Sequence, residues 1–310
     1  MTSAPTTIDL SRLPAPLAIE ALNPAALETA FITRFVENWD EERERDPTLP
    51  AFTIAGLQAN PAAILKRVFS YLRLLDRQRV NDAVHAVLAP TAAGADLDNI
   101  AAAANVQRLV VVPANPATNT PAVLESDAAL LRRYLLSFDR PSAGSAGRFL
   151  FEAWTAWPQM GDVAVVGRAV HGRRGDVDIV VSGPGGREPT PAELAAVRAA
   201  VTTPTVAPEA VAVNVLAATR RLYAASFVAE IPPGPDAILV AGEAAARVRA
   251  AATVRTTIGG EVPAGLLGGA AYGDGTTVLK ARDISQVAID PDPYTVPVCT
   301  GIVVTPEVRA

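Results

Sequence analysis

Few residues in this sequence have the type and spacing that chemistry requires. Histidine is the usual general base near neutral pH, and the 310-residue chain has only His85 and His171. His85 falls on a long helical pattern as a half-exposed surface residue, and His171 in a Gly/Arg turn, so neither is read as a catalyst or a metal ligand. Cys299 is the single cysteine, so no intrachain disulfide and no four-thiolate zinc site can form. A Cys299/His171 nucleophile pair is conceivable from counts alone; beside a terminal strand, Cys299 reads as a small buried residue. Asp96 and Asp98 have the spacing of paired ligands, yet two acids at a helix start ordinarily serve free N–H groups and the positive end of the helix dipole. Asp290-Pro291-Asp292-Pro293 sets two carboxylates in a stiff loop with no third acid or histidine beside them, and reads as a turn. Of the glycine-rich segments, Ser142 to Gly147 lacks the lysine of a phosphate loop and Gly183-Pro184-Gly185-Gly186 precedes a polar loop. Gly265 to Gly275 is spaced for flexibility. The expectation is a protein with no catalytic residues, no cofactor and no metal.

Composition narrows the partners. The formal charge is −5, with 27 Lys+Arg against 32 Asp+Glu, which argues against a protein whose main task is to grip phosphates. The arginines are interleaved with aliphatic residues and lack an aromatic stacking platform, so no nucleic-acid partner is expected. Apolar residues make up 50% of the chain but aromatic ones only 5%, so the core must be aliphatic and alanine-rich. Residues 1–22 contain no continuous apolar run, which excludes the reading of a signal peptide. The most apolar stretch, 237–252, carries Glu243, Arg247 and Arg249, so a soluble chain without membrane insertion is expected.

The elements follow from periodicity and caps. Asn23-Pro24 opens a helix on which Leu27, Phe31, Phe35 and Trp39 recur at every fourth position, and Pro47 stops it after a charged run. One helix cannot bury that aromatic stripe by itself, so either another chain or the next helix must cover it. Asn60-Pro61 opens a longer helix, with Ile64, Leu65, Val68, Leu72, Leu75, Val84 and Leu88 on one face, ending at Pro90. A short helix from Asp96 to Ala104 follows a corner at Gly94, where a backbone angle unfavourable to side chains is expected. Val110 to Pro121 reads as an extended linker. Ser126-Asp127 starts a helix bearing Leu130, Leu131, Tyr134 and Phe138, and a further helix carries Phe149, Leu150, Trp154 and Trp157. Beyond Pro158 the period falls to 2. Val163, Val165, Val166 and Val170 make one strand and Val177 to Val181 the next, joined by a turn over Gly172 to Gly175. Thr190 and Glu193 have capping-box spacing for a helix reaching Val201, and a strand follows from Val211 to Leu216. Tyr223, Ala225, Phe227 and Ala229 alternate in a strand that Pro232-Pro233-Gly234-Pro235 breaks. Asp236 then opens an alanine-rich helix to about Thr256, with short strands around Val278, Val287 to Ile289 and Ile302 to Val304. The fold class is α+β: a mainly helical region over 1–125, a first α+β module over 126–218 and a second over 219–310.

Several short segments, taken in order, carry a resemblance. They are Ile8-Asp9-Leu10-Ser11-Arg12-Leu13-Pro14-Ala15-Pro16, then Arg77-Gln78-Arg79-Val80-Asn81-Asp82-Ala83, then Ala92 to Ala101 with Val106 and Arg108 downstream. Glu125-Ser126-Asp127 before Leu130 and Arg132, Thr190-Pro191, Pro233-Gly234-Pro235-Asp236 and Cys299-Thr300-Gly301-Ile302 complete the set. Together they resemble the baseplate J-like family of contractile phage tails, relatives of the inner baseplate wedge protein of T4-type phages. The chain departs from the pattern over 40–60 and 108–122. The resemblance implies a non-enzymatic subunit that dimerises within a wedge and joins neighbouring wedge proteins around the central hub. Its place would be the tail baseplate of a phage, tailocin or related injection device, assembled in the bacterial cytoplasm; a tail-associated hydrolase is the alternative. The residues singled out for assembly are Leu27, Phe31, Phe35 and Trp39, with Gly94, Asp96, Leu97, Asp98, Arg108, Ser126, Asp127, Arg132, Gly234, Pro235 and Asp236 as the motif positions.

Overall fold

A computed structural model describes residues 13–14, 16–53, 60–263, 265–273, 278–286 and 288–309. Ile8 to Arg12, Ala15, Gly275 and Val287, all used in the sequence reading, lie outside these. The chain forms two compact units, over residues 5–105 and 106–310, and belongs to the α+β class.

In the first unit, α1 (Pro24–Arg45) and α2 (Pro61–Ala86) each begin at an asparagine whose side chain accepts a backbone N–H, Asn23 from Ala26 and Asn60 from Ala63. Proline at the first helical position costs nothing there, because its missing N–H would have been unpaired. The two helices pack on each other, and α3 (Ala95–Ala103) ends the unit.

The second unit opens with β1 (Val110–Val112) paired antiparallel to β2 (Val123–Leu124). The segment expected to be an extended linker is therefore a two-stranded ribbon, whose tip over Asn115 to Thr120 closes by backbone bonds in both directions. α4 (Asp127–Ser137) and α5 (Ala146–Ala156) follow, then β3 (Asp162–Val166), a single helical turn α6 (Arg168–His171) and β4 (Asp176–Ser182). Val170 thus leaves the strand predicted for it: Gly167 ends β3, and the chain turns helically until Gly172, at φ +79°, reverses it. α7 (Pro191–Val201), with both bonds of its capping box formed, carries the chain across to β5 (Ala212–Ala217). Such a crossover is what a parallel neighbour requires. The sheet order is β3-β4-β5, antiparallel then parallel. α5 and α7 cover it, burying Phe149, Trp154, Ile179, Val181, Val197 and Val215.

The chain passes through Ala218 into β6 (Thr219–Ile231), the centre of a second sheet of order β7-β6-β8. Alternate residues Tyr223, Ala225, Phe227, Ala229 and Ile231 point into a core closed by α8 (Ala237–Arg255) and α9 (Leu266–Ala271). The glycines from Gly265 do not make a flexible loop up to Gly273: α9 is a packed helix. A Cβ on Gly268 would stand 2.5 Å from Ile284 of β7 (Lys280–Gln286), so glycine allows this close approach. The chain ends in β8 (Thr295–Val308), parallel to β6 along its length and longer than the expected Ile302 to Val304. Val278 is buried but stands before β7, and Ile289 makes only an isolated bridge to Val262. Pro297 and Pro306 bracket the expected strand and hid the full length of β8; they are accommodated because β8 is an edge strand.

The two sheets meet over a small apolar cluster of Val166, Val180, Ala218, Val296 and Val298. Asp178 on β4 lies at this junction, buried, accepting hydrogen bonds from Tyr294 Oη at 2.7 Å, from Asn214 Nδ2 at 3.0 Å and from the Arg173 guanidinium. Burial pushes its carboxyl up, but these three donors outweigh burial and hold it below the usual carboxylate range. Asp162, accepting from Ile258 N at 2.7 Å and Val163 N at 2.9 Å, is instead raised, because there burial wins.

A carboxyl whose folded value is lowered contributes stability above its unfolded value, near 3.9, and loses that contribution as pH falls through the folded value. Acid titration of the melting transition is expected to show stability falling below about pH 4, with a shallower fall in Asp178→Asn. Asp178→Ala, which leaves Tyr294 and Asn214 without their acceptor, is expected to cost about 2 to 4 kcal/mol by chemical denaturation.

Candidate assembly surfaces

The aromatic stripe of α1 is half-buried, and its partners are in its own chain. Phe31 stacks on Phe69 of α2 with centroids 5.6 Å apart, and Phe35 meets Phe52 edge-on at 5.0 Å. Trp39 lies 5.9 Å from Phe52 and donates its indole N–H to Pro50 O at 2.9 Å. Leu27 is half-buried on the same stripe, and Lys66 ties α2 to Glu28 at 2.9 Å. α1 therefore spends its apolar face on α2 and on residues 50–52. α2 keeps most of its own in solvent: Leu65 is 48% exposed, Val68 50%, Leu72 50% and Leu75 46%. Their spacing of three, four and three is that of a seam between helices. No described residue of α1 is buried, and α2 buries only Ala62, Ala63, Ser70 and Asn81.

Asn81 and Arg77, from the motif on α2, grip the segment that precedes α1. The Asn81 amide accepts from Glu20 N at 3.1 Å and donates to Glu20 O at 2.9 Å, as a neighbouring strand would, and Arg77 bridges the Glu20 carboxylate at 2.8 Å. Sequence reading could not pair residues so far apart along the chain.

Gly94 stands at φ +55°, ψ −127°, a conformation closed to residues with a Cβ. It is the N-cap of α3 and offers no side-chain cap; Asp96 and Asp98 lie in the first turn. Asp96 is thus a dipole partner and not the cap the spacing suggested. Leu97 is buried on this helix. Arg108 donates to Glu125 O and to Asp127 Oδ1, both at 2.6 Å, and Ser126 caps α4 through Ala129 N. Arg132 lies 4.2 Å above the Trp154 ring. Arg108, Ser126 and Asp127 meet at one corner of the second unit, where the chain enters α4.

Two further residues of this corner were not among the assembly positions read from sequence: Glu125, quoted there only within a motif string, and Arg133. Both are buried and joined at 2.7 Å; Glu125 also accepts from Leu109 N, and Arg133 donates to Gln107 O and Thr155 Oγ1. Arginine beside arginine on a helix gives no sign of which one turns inward. The only available signal was the one-turn phase of Leu130, Arg133 and Ser137, all buried on α4. Gly234 takes φ +116°, Pro235 is exposed, and Asp236 caps α8 through the N–H groups of Ile238 and Leu239.

The residues considered for chemistry lie in separate local settings. His85 is half-buried near the end of α2, and its carbonyl accepts from Thr91. His171 accepts through Nδ1 from Arg173 N. Cys299 is half-buried on β8 facing Tyr223, whose hydroxyl is pushed up to about 12 by burial and by the Cys299 thiol. Among the described residues no group of three or more His, Cys, Asp or Glu is placed to hold a metal ion, and no helix is long and apolar enough to cross a membrane.

Residues 58–115, from before α2 through the first strand of the ribbon, match the Baseplate J-like N-terminal domain. The chain is also 35% identical over 165 residues to baseplate protein J of Escherichia phage P2, an alignment covering 51% of this chain and 52% of that protein. The chain thus spans about half the length of the curated relative it matches.

Gly94→Ala is expected to destabilise by about 1 to 3 kcal/mol through backbone strain alone, since a Cβ there would meet nothing within 4 Å. Thermal unfolding measures this. Phe35→Ala, which removes the ring between Trp39 and Phe52, is expected to cost about 1 to 3 kcal/mol, less than for a fully buried phenylalanine. Circular dichroism should register it as earlier melting of helix.

Proposed function

We propose that this chain, a member of the baseplate J-like family, is a structural and non-enzymatic subunit of the baseplate of a contractile tail, in a phage, a tailocin or a related injection device. The observation that carries the proposal is the exposed seam of α2. A helix pair whose larger apolar face stands in water gains most of its stability when a further helix covers that face. The finer reading is a protein that self-associates within a wedge and holds neighbouring wedge proteins around the central hub, assembled in the bacterial cytoplasm before it joins the particle. In this reading residues 1–125 are the assembly region, and 126–218 and 219–310 are the modules it carries. The aromatic stripe then fixes the pose of α2, and α2 meets the neighbour.

Leu72→Asp tests this. The side chain is half-exposed, so helix content and melting temperature of the isolated chain should change little. A carboxylate without a mate is costly at a packed contact, and the variant should no longer co-purify with tail particles or with co-expressed baseplate proteins. Normal incorporation into particles would count against the seam, and unfolding of the isolated chain would return Leu72 to a core role.

A further inference from the structure

The outer face of α8 is unlike that of a helix made to face water. Its inner side buries Val240, Ala244, Val248 and Ala252 against the second sheet. On the other side Ile238 is 81% exposed, Leu239 62% and Val254 74%. Between them the exposed positions run in an order that is nearly the same in both directions from Ala246. Glu243 and Arg249 lie three residues to either side, Gly242 and Ala250 four, Leu239 and Thr253 seven, Ile238 and Val254 eight. At 100° per residue, all of these fall within about 80° of Ala246 around the helix.

We propose that α8 packs antiparallel on α8 of a second copy of this chain, about a two-fold axis through Ala246. This rests on the reading of the chain as a self-associating subunit and names the surface. An isologous contact requires that residue i meet j and that j meet i. The axis through Ala246 does this with opposite chemistry at the charged pair, setting Glu243 against Arg249 of the second copy twice. It also sets Ile238 against Val254 twice at the ends. A parallel pairing would place each charge on its own like. Neither Glu243 nor Arg249 forms an ion pair with another described residue, so both are available. The small residues Gly242, Ala246 and Ala250 permit close approach at the crossing. Gly242 has no other evident use: a Cβ there would meet nothing within 4 Å in its own chain, although glycine inside a helix costs about 1 kcal/mol relative to alanine.

The test uses the full chain. With Cys299→Ser in place, Ala246→Cys should form a disulfide-linked dimer under mild oxidation, whereas Ala210→Cys, on an exposed loop, should not. Sedimentation equilibrium should show the dimer weakened about tenfold or more by Glu243→Arg alone and by Arg249→Glu alone, a change of at least 1.4 kcal/mol. The double reversal should restore it, a rescue that a merely structural effect would not give. A dimer indifferent to all three variants, with no cross-link through position 246, would overturn the α8 contact and leave self-association standing on another surface. A chain that is monomeric at every concentration and does not cross-link would overturn both.

Discussion

The Asp178 carboxylate is the point on which the second compact unit turns. It sits on the central strand of one sheet and takes hydrogen bonds from that sheet's parallel neighbour, through Asn214, and from the approach to the last strand of the other, through Tyr294. The third donor, Arg173, comes from the turn before β4 and brings a compensating charge. A buried carboxylate lacking any of these would be costly; with all of them, the position of each donor is specified closely. The apolar cluster of Val166, Val180, Ala218, Val296 and Val298 supplies area at the same junction, but such contacts are non-directional. The network adds register to the area, and the single residue Ala218 between β5 and β6 leaves little freedom for the sheets to move apart. The two small sheets thereby belong to one compact unit.

The first compact unit is built on the opposite principle. Its helices are well capped and its aromatic residues interlock, yet nearly all of its large apolar side chains retain a third or more of their exposure or are only half-buried. At roughly 25 cal/mol per Å² of apolar surface removed from water, a pair of helices that leaves one broad face wet has much of its stabilisation still to gain. In the proposed function that gain would come on association, which would couple the order of this unit to the presence of a neighbour.

What the sequence disclosed and what it concealed divide along physical lines. Local rules were legible: the Asn-Pro openings of α1 and α2, the capping box of α7, the Asp236 cap and the glycine corner at Gly94 each depend on residues within one turn of each other. Long-range pairing was not. The ribbon over 110–124 is interrupted by prolines in sequence and closed only by its partner strand, and β8 contains two prolines that an edge strand tolerates. The motif residues were found as a string, but their meaning lies in what they hold. Asn81 clamps Glu20, Arg108 reaches Asp127, and Arg133 turns inward to Glu125 while Arg132 lies on Trp154. Composition gave one correct expectation of a different kind: with few aromatic residues, the second sheet is covered by alanine and valine from α8.

The same alanine richness explains why α8 is informative only once its environment is known. A helix apolar on all sides ordinarily belongs wholly inside a protein; in sequence α8 is alanine-rich but interrupted by Glu243, Arg247 and Arg249. In the fold it has a sheet on one side and exposed Ile238, Leu239 and Val254 on the other, a face that a second cover would bury. An isologous contact would supply it, but such a contact is saturated by one partner and makes only pairs. Any larger array therefore needs a second surface of different character on the same chain. The seam of α2 has that character: it is apolar, heptad-spaced and unrelated in pattern to α8. A pair-forming face on one compact unit and a neighbour-binding face on the other is the least equipment with which one polypeptide can link pairs into a larger assembly.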